Sequence, residues 1–234
     1  MAYAADHAHD AVVHPTKQHF VYAQLRTEII TCRLAPGARL RIDEIASRFD
    51  VSIIPVREAL RVLQSEGLVL NVPHVGATVA PINSNDIVEA LTIMEGLETV
   101  SARAAALRAT EGDFRDLGAR LAGMDEAVSS GRADDWVRQN RQFHLAIARI
   151  AAMPLLQDML VRAFDRWERV WRFHFEGVAT RRIARAQAEH HDMVRHLGAR
   201  DLSALEDTVR RHNRAALEAY LAQHDLQNAT DDVV

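Results

Sequence analysis

The sequence predicts a mainly α protein in two parts: a front module of three short helices and a β-hairpin, then an all-helical bundle of six helices. Three observations predict it. Five of the six prolines, at 15, 36, 55, 73 and 81, lie before residue 83, and only Pro154 follows. A proline-poor stretch can be almost wholly helical, because interior proline removes a helix hydrogen bond and clashes with the preceding turn. Apolar spacing is short and interrupted before residue 83, and long and helical after it. The charge balance changes at the same place: residues 17–82 carry 8 basic and 6 acidic groups, residues 83–234 carry 20 and 24.

Residues 1–16 are polar and Ala/His-rich without periodicity and read as an arm. His7, His9, His14 and His19 are too scattered for a metal tract. From 17 to 34, Phe20, Val21, Leu25, Ile29 and Leu34 follow helical spacing, and Pro36-Gly37 ends the helix. A second short helix starts at Asp43, an N-cap residue type, and presents Ile45, Ala46 and Phe49. After Asp50-Val51-Ser52 a third helix begins near Ile54, with Pro55 in its first turn, where proline is tolerated. Its inward face is Val56, Leu60 and Leu63, and Gly67 ends it. The β-prone runs 68–72 and 76–80 flank Pro73-His74-Val75 and read as a hairpin. Three short helices followed by a hairpin form the winged helix-turn-helix pattern, in which the third helix enters the DNA major groove and the hairpin touches the backbone.

Six long helices follow, at about 85–109, 112–130, 133–152, 154–176, 180–199 and 202–224. Ser84, Thr110 and Asp201 are candidate caps, and Gly131 and Gly198 candidate terminators. No internal repeat is visible, which favours a bundle over a solenoid. The expected organisation is an arm (1–16), a winged helix-turn-helix domain (17–82), a helical effector-binding and dimerisation domain (83–226) and a tail (227–234).

Composition narrows the classes. Hydrophobic residues make up 48% and charged residues 26%, ordinary for a globular chain. The net charge of −4 argues against a general polyanion binder. No segment reaches the roughly 18 consecutive apolar residues of a membrane span. The N-terminus lacks the charged and apolar regions of a secretory signal, and Cys32 is the single cysteine, so a cytoplasmic protein is expected.

The first helix, with Val21-Tyr22, Leu25-Arg26 and Ile29, followed by Leu34-Ala35-Pro36-Gly37 and Leu40, resembles the opening of the GntR family of bacterial transcription regulators. Val51-Ser52, Pro55-Val56-Arg57-Glu58-Ala59-Leu60, Leu63 and Glu66-Gly67-Leu68-Val69 look like its core signature. Phe143-His144, Glu189-His190 and His212 resemble the FCD effector domain of the FadR branch. Six effector helices are similar to the VanR-type subgroup. The resemblance implies a homodimer on double-stranded, pseudo-palindromic operator DNA. It further implies a small carboxylate-type effector and a divalent metal, zinc, nickel or similar, in the helical domain.

On the DNA side, Arg57 and Arg61 lie one turn apart on the third helix and share a face. Arginine suits guanine edges and phosphates. The plain alternative for Arg57 is a surface pair with Glu58 or a neighbouring acid. Arg26 and Arg48 are candidate phosphate contacts, and Ser52 can both cap the third helix and meet a phosphate. His74 and Gly76 belong to the hairpin tip. Ile53 and Ile54 stand where the family usually carries arginine and a polar residue, and Val75 where it carries arginine. An isoleucine can still meet a thymine methyl.

On the effector side, Asn140 and His144 are spaced i, i+4 and project from one helix face. With His190 and His212 they offer three imidazoles and one oxygen from three helices, a donor set for zinc, nickel or similar ions. The family usually carries aspartate at Asn140. Met94 replaces an arginine that can grip the ligand, which points to a more apolar pocket. Arg141 and Glu189 are the other pocket candidates, and Arg103, Arg138 and Arg172 could compensate for the missing arginine. Trp136, Trp167 and Trp171 read as core or pocket wall. His174, His191, His196 and His224 read as packed or surface residues.

An enzyme reading, a helical metal-dependent hydrolase with Glu189 as base, leaves residues 17–82 without a purpose. No di-iron Glu-x-x-His pair, HExxH, Walker A or GxSxG motif occurs. The remaining alternative is a regulator-derived interaction protein whose reading head is weakened by Ile53, Ile54 and Val75.

Overall fold

The computed structural model describes residues 16–174 and 180–231. The arm histidines His7, His9 and His14 lie outside them, as do the side chains of His174 and His224. The chain divides into two units, Met1–Ile29 with Arg33–Pro81, and Ile30–Cys32 with Ile82–Val234.

In the front unit, helices α1 (Lys17–Ile30), α2 (Ile42–Phe49) and α3 (Ile53–Ser65) precede strands β1 (Val69–Val72) and β2 (Gly76–Val79). Helix α1 stops short of the expected residue 34. Cys32 adopts a left-handed backbone, and the Leu34 amide turns back to donate to the Glu28 carbonyl. Helix α2 starts one residue before Asp43, with Arg41 at the N-cap and no side-chain cap bond. Asp43 instead lies in the first turn, where a carboxylate favours the helix dipole. The strands pair antiparallel with Val69 opposite Val79 and Val72 opposite Gly76. Gly76 (φ +94°) and His74 (φ +61°) make the reversal. Such a backbone is unstrained for glycine and disfavoured for histidine.

Segment 37–40 adds an edge that spacing did not reveal. Gly37 donates to the Val79 carbonyl, Leu40 to the Ala77 carbonyl, and Val79 to the Ala38 carbonyl. Arg39 thereby bridges Thr78 on the far side of β2. Beneath this small sheet, Val21, Leu25 and Ile29 meet Val56, Leu60 and Leu63 in one buried cluster. These are the inward faces expected from the i, i+4, i+7 spacing.

The second unit contains α4 (Ser84–Arg108), α5 (Glu111–Ser129), α6 (Ala133–Ile150), α7 (Pro154–His174), α8 (Thr180–Ala199) and α9 (Leu202–Asp231). Asn83, not Ser84, caps α4: its side chain accepts from the Asp86 amide while the Asp86 carboxylate accepts from the Asn83 amide. Thr110 and Asp113 repeat this reciprocal arrangement at α5. The Asp201 carboxylate accepts from the Ala204 amide at the start of α9. Gly198 lies inside α8, and the left-handed residue that follows that helix is Arg200. Helix α9 continues to Asp231, past residue 226 where the domain was expected to end. Helix α4 packs against α6, α7 and α9, and α8 lies against α5 and α9. Facing sides of α4, α6, α7, α8 and α9 enclose the cavity described below.

Among the described residues, no helix is long and apolar enough to cross a membrane.

Candidate nucleic-acid interface and histidine cluster

Helix α3 presents a mixed face. Ile53, Ile54, Arg57 and Arg61 are exposed, Ile54 to 72%. Arg61 makes a surface pair with Glu58 at 3.1 Å, a contact of little net strength that phosphate can displace. The pairing with Glu58 that was the plain alternative for Arg57 thus goes to Arg61.

Ser52 occupies the N-cap position of α3, yet its hydroxyl makes no cap bond. The expected cap is corrected, because the side chain does not turn back onto the first-turn amides. The first-turn amides of α3 are therefore not capped by the Ser52 side chain.

Two other arginines, the candidate phosphate contacts Arg26 and Arg48, carry acidic partners within the module. Arg26 Nε donates to Glu66 Oε2 at 3.3 Å, and Tyr22 joins the same carboxylate. Arg48 pairs with Glu28 at 2.8 Å and lies 4.4 Å above the Phe49 ring. Each is already held by an acid within the module, so Arg26 acts as a brace. At the hairpin tip His74 and Val75 are exposed.

The second site lies inside the bundle. His144 of α6, His190 of α8 and His212 of α9 converge, each buried, with ligand-type atoms within 4.8 Å of one another. Their ring centroids are 4.7 to 5.3 Å apart. His144 Nε2 and His190 Nε2 lie 3.1 Å apart. Two imidazoles bound to one zinc-like ion at about 2.1 Å place their nitrogens roughly 3.0–3.4 Å from each other. The spacing fits that requirement.

What holds each ring was not visible in the motif. Gln187 Nε2 donates to Asp125 Oδ1 at 2.7 Å, which leaves Gln187 Oε1 as an acceptor. That oxygen receives Trp136 Nε1 and His190 Nδ1, each at 3.3 Å. His212 Nδ1 donates to Glu189 Oε2 at 2.8 Å. His190 and His212 are thereby assigned as Nδ1–H tautomers with bare Nε2 atoms, the form that binds metals.

His144 closes the set. With His190 Nε2 bare, the 3.1 Å contact requires the proton on His144 Nε2. Its Nδ1 then lies bare 3.1 Å from Glu98 Oε1, tolerable only beside a neutral carboxyl. Burial pushes Glu98 up to about 8, against the lowering effect of its hydrogen bond from Asn213. The proton on His144 Nε2 thus satisfies the contact with His190, and an ion seated on the three Nε2 atoms would take its place. Burial, reinforced by the neighbouring His212, holds His144 and His190 well below the usual imidazole range. Burial also lowers His212, against the pull of Glu189. All three rings are neutral at pH 7, the form a metal requires.

Asn140 lies one turn from His144 on the same face. It is buried, and its Oδ1 has no hydrogen-bond partner. It lines the cavity together with His144, His212 and Met94. Arg141 does not: it is held by Asp165 at 2.7 Å and Glu168 at 3.5 Å. Arg103, Arg138 and Arg172 are likewise engaged by Glu206, Asp135 and Asp134. The cavity arginine is Arg182, which no sequence motif singled out. Its Nη1 donates to Glu189 and its Nη2 to the His212 carbonyl. Arg182 and Glu189 are seven residues apart and so share a face of α8, a periodic signal that was available.

Glu189 does not line the cavity; it orients His212 from behind. Burial raises its pKa, but the hydrogen bond from His212 and the Arg182 guanidinium outweigh this and hold it down at about 2. A carboxylate so tied has no freedom to act as a general base. His191 is engaged with Asp125 at the surface and His196 is exposed, so neither substitutes in the cluster.

Comparison with known proteins agrees with both halves. Residues 17–79 match the family of bacterial regulatory proteins, gntR family, and residues 89–215 match the FCD domain. The HTH-type transcriptional repressor RspR of Escherichia coli K12 is 30% identical over 192 residues, covering 82% of this chain and 83% of its own. The HTH-type transcriptional regulator McbR of the same organism is 27% identical over 177 residues, covering 76% and 80%. The solved structure of E. coli McbR/YncC superposes with a TM-score of 0.78 at 24% identity, over 89% of this chain and 99% of that one. A GntR structure from Rhodococcus sp. RHA1 superposes with a TM-score of 0.74 at 22% identity, over 88% and 98%. The chain belongs to the GntR family of bacterial regulatory proteins, and is a transcriptional regulator with an N-terminal DNA-binding domain and a C-terminal FCD effector-binding domain.

Proposed function

We propose that the protein is a repressor whose operator affinity is set by a small organic acid bound beside a divalent metal in the FCD bundle. The observation that carries this reading is the cluster of His144, His190 and His212, buried and opening onto a cavity. Three neutral imidazoles suit zinc or nickel, and Asn140 Oδ1, buried, unpartnered and one turn from His144, would add an oxygen to the donor set. The ion would supply a fixed positive charge that attracts a carboxylate. With asparagine in place of aspartate, no ligand charge offsets that of the ion.

The protein acts as a homodimer, with one reading head for each operator half-site. Ligand binding favours the arrangement of the two heads that no longer matches the half-site spacing, a population shift. The repressor sense draws support from RspR, which carries that name.

The test combines DNA and metal readouts. In a mobility-shift titration against the promoter beside its own gene, the metal-loaded protein retards the fragment and an effector acid releases it. Metal analysis of chelator-free protein finds one ion per chain, and the His144→Ala variant loses it. No retardation at low salt, or equal metal in both proteins, overturns the respective part.

A further inference from the structure

We propose that the effector is a monocarboxylic acid with a compact, ring-shaped apolar body, of the benzoate class, rather than a polyhydroxylated sugar acid. This inference rests on the reading of the bundle cavity as the effector site. All three tryptophans of the chain, Trp136, Trp167 and Trp171, line that one cavity. Met94, Leu91 and Ile183 continue the same wall. Met94 is buried and puts a polarizable thioether where a ring edge can rest on it. Aromatic walls of this kind favour a flat ring packed edge-to-face or offset.

The polar inventory is small and one-sided. Both terminal nitrogens of Arg182 are already committed, to Glu189 and to the His212 carbonyl. Asn213 spends its amide nitrogen on Glu98 and on the Val209 carbonyl. Two atoms of this lining, Arg182 Nε, a donor, and Asn140 Oδ1, an acceptor, are buried without a hydrogen-bond partner, and the Tyr220 hydroxyl adds one more polar group to the wall. Arg182 Nε can donate to one carboxylate, and an ion held by the histidines and Asn140 Oδ1 would offset its charge. Such a lining offers few partners to a chain of hydroxyls, which would leave water for a mostly apolar wall.

The orientation follows: carboxylate toward His144, His212 and Arg182 Nε, ring among Trp167, Trp171 and Met94. Methionine at position 94 cannot hold a second polar group as an arginine there would, so this position sets the preference for an apolar body.

The test uses the full-length protein loaded with nickel or zinc, with metal content measured. Because every tryptophan faces the cavity, intrinsic fluorescence reports its occupancy directly. Titration with benzoate is expected to change the emission and to give an affinity at least roughly tenfold higher than gluconate or lactate. The Met94→Gln variant, similar in volume, is expected to narrow that ratio while retaining the metal. Gluconate binding as tightly as benzoate overturns the proposal, as does an unchanged ratio in a folded Met94→Gln protein. So does the absence of any benzoate response in protein that carries its metal. The same titration after chelation separates the two readings: benzoate binding that survives metal removal leaves the ligand class standing and removes the metal from the site.

Discussion

His144 and His190 face each other Nε2 to Nε2 at 3.1 Å, and their outer nitrogens face Glu98 and Gln187. The rings come from helices far apart in sequence, and their approach is fixed by partners that never touch the cavity centre. Gln187→Ala should therefore lower metal affinity roughly 10- to 100-fold without removing a ligand. His190→Ala should abolish binding. A competition titration with a chromogenic chelator measures both, with circular dichroism to show that the fold persists.

Metal-free protein should be most stable near neutral pH. His144 and His190 remain neutral in the folded chain, so below their unfolded value near 6.5 the unfolded state binds more protons and stability falls with acidification. Each such proton contributes a slope of about 1.4 kcal/mol per pH unit. Glu98 acts in the opposite sense. Raised to about 8, it contributes stability that is fully present below pH 4.5 and is lost as pH rises through its folded value. Urea midpoints from pH 5 to 9 in chelator should fall on both sides of neutrality. A Glu98→Gln variant should flatten the alkaline limb.

Arg57 should matter to DNA more than Arg26. Arg57→Ala should weaken operator binding by about 1–3 kcal/mol if it reads a base, with little change in fold stability. Arg26→Ala breaks the pair with Glu66 and should cost about 1 kcal/mol of stability. Its salt dependence of DNA binding should stay close to that of the parent. Mobility shifts at several salt concentrations separate the two effects.

Ile54 should read a methyl group. It is exposed at the start of α3, where an apolar side chain gains from thymine and loses nothing at a methyl-free base except the contact itself. Replacing the contacted thymine by uracil should cost about 0.8 kcal/mol, the value of one buried methyl-sized group. The Ile54→Ala protein should be insensitive to that replacement.

Thr110→Ala should destabilise the bundle by about 1 kcal/mol. It removes the acceptor for the Asp113 amide and frees the Asp113 carboxylate from the Thr110 hydroxyl. Thermal unfolding measures the loss, and the Thr110→Ser protein should restore it.

Helix positions were legible because the repeat of Val56, Leu60 and Leu63, or of Thr110 with Asp113, is local and physical. Asn140 and His144 were legible as one face of a helix for the same reason. The partners of the rings were legible only in part. Glu98 of α4 reaches His144 of α6 through tertiary packing and leaves no spacing signature, whereas Gln187 lies three residues before His190 on α8, a local relation that the sequence did carry. Arg141 misled because an arginine on a ligand-bearing helix looks available until Asp165 and Glu168 are seen beside it. Ser52 misled because residue type favours a cap without securing the rotamer that makes one.

The bridge between Arg39 and Thr78 gives the hairpin a second tether. Segment 37–40 leads directly into α2, so β2 cannot open without releasing the chain that sets the entry to the helix-turn-helix. The amides of Gly37, Leu40 and Val79, all donated across this edge, should exchange with solvent deuterium at one common rate. The hairpin and the helix pair would then loosen together as a single cooperative unit rather than as a frayed tip on a rigid head.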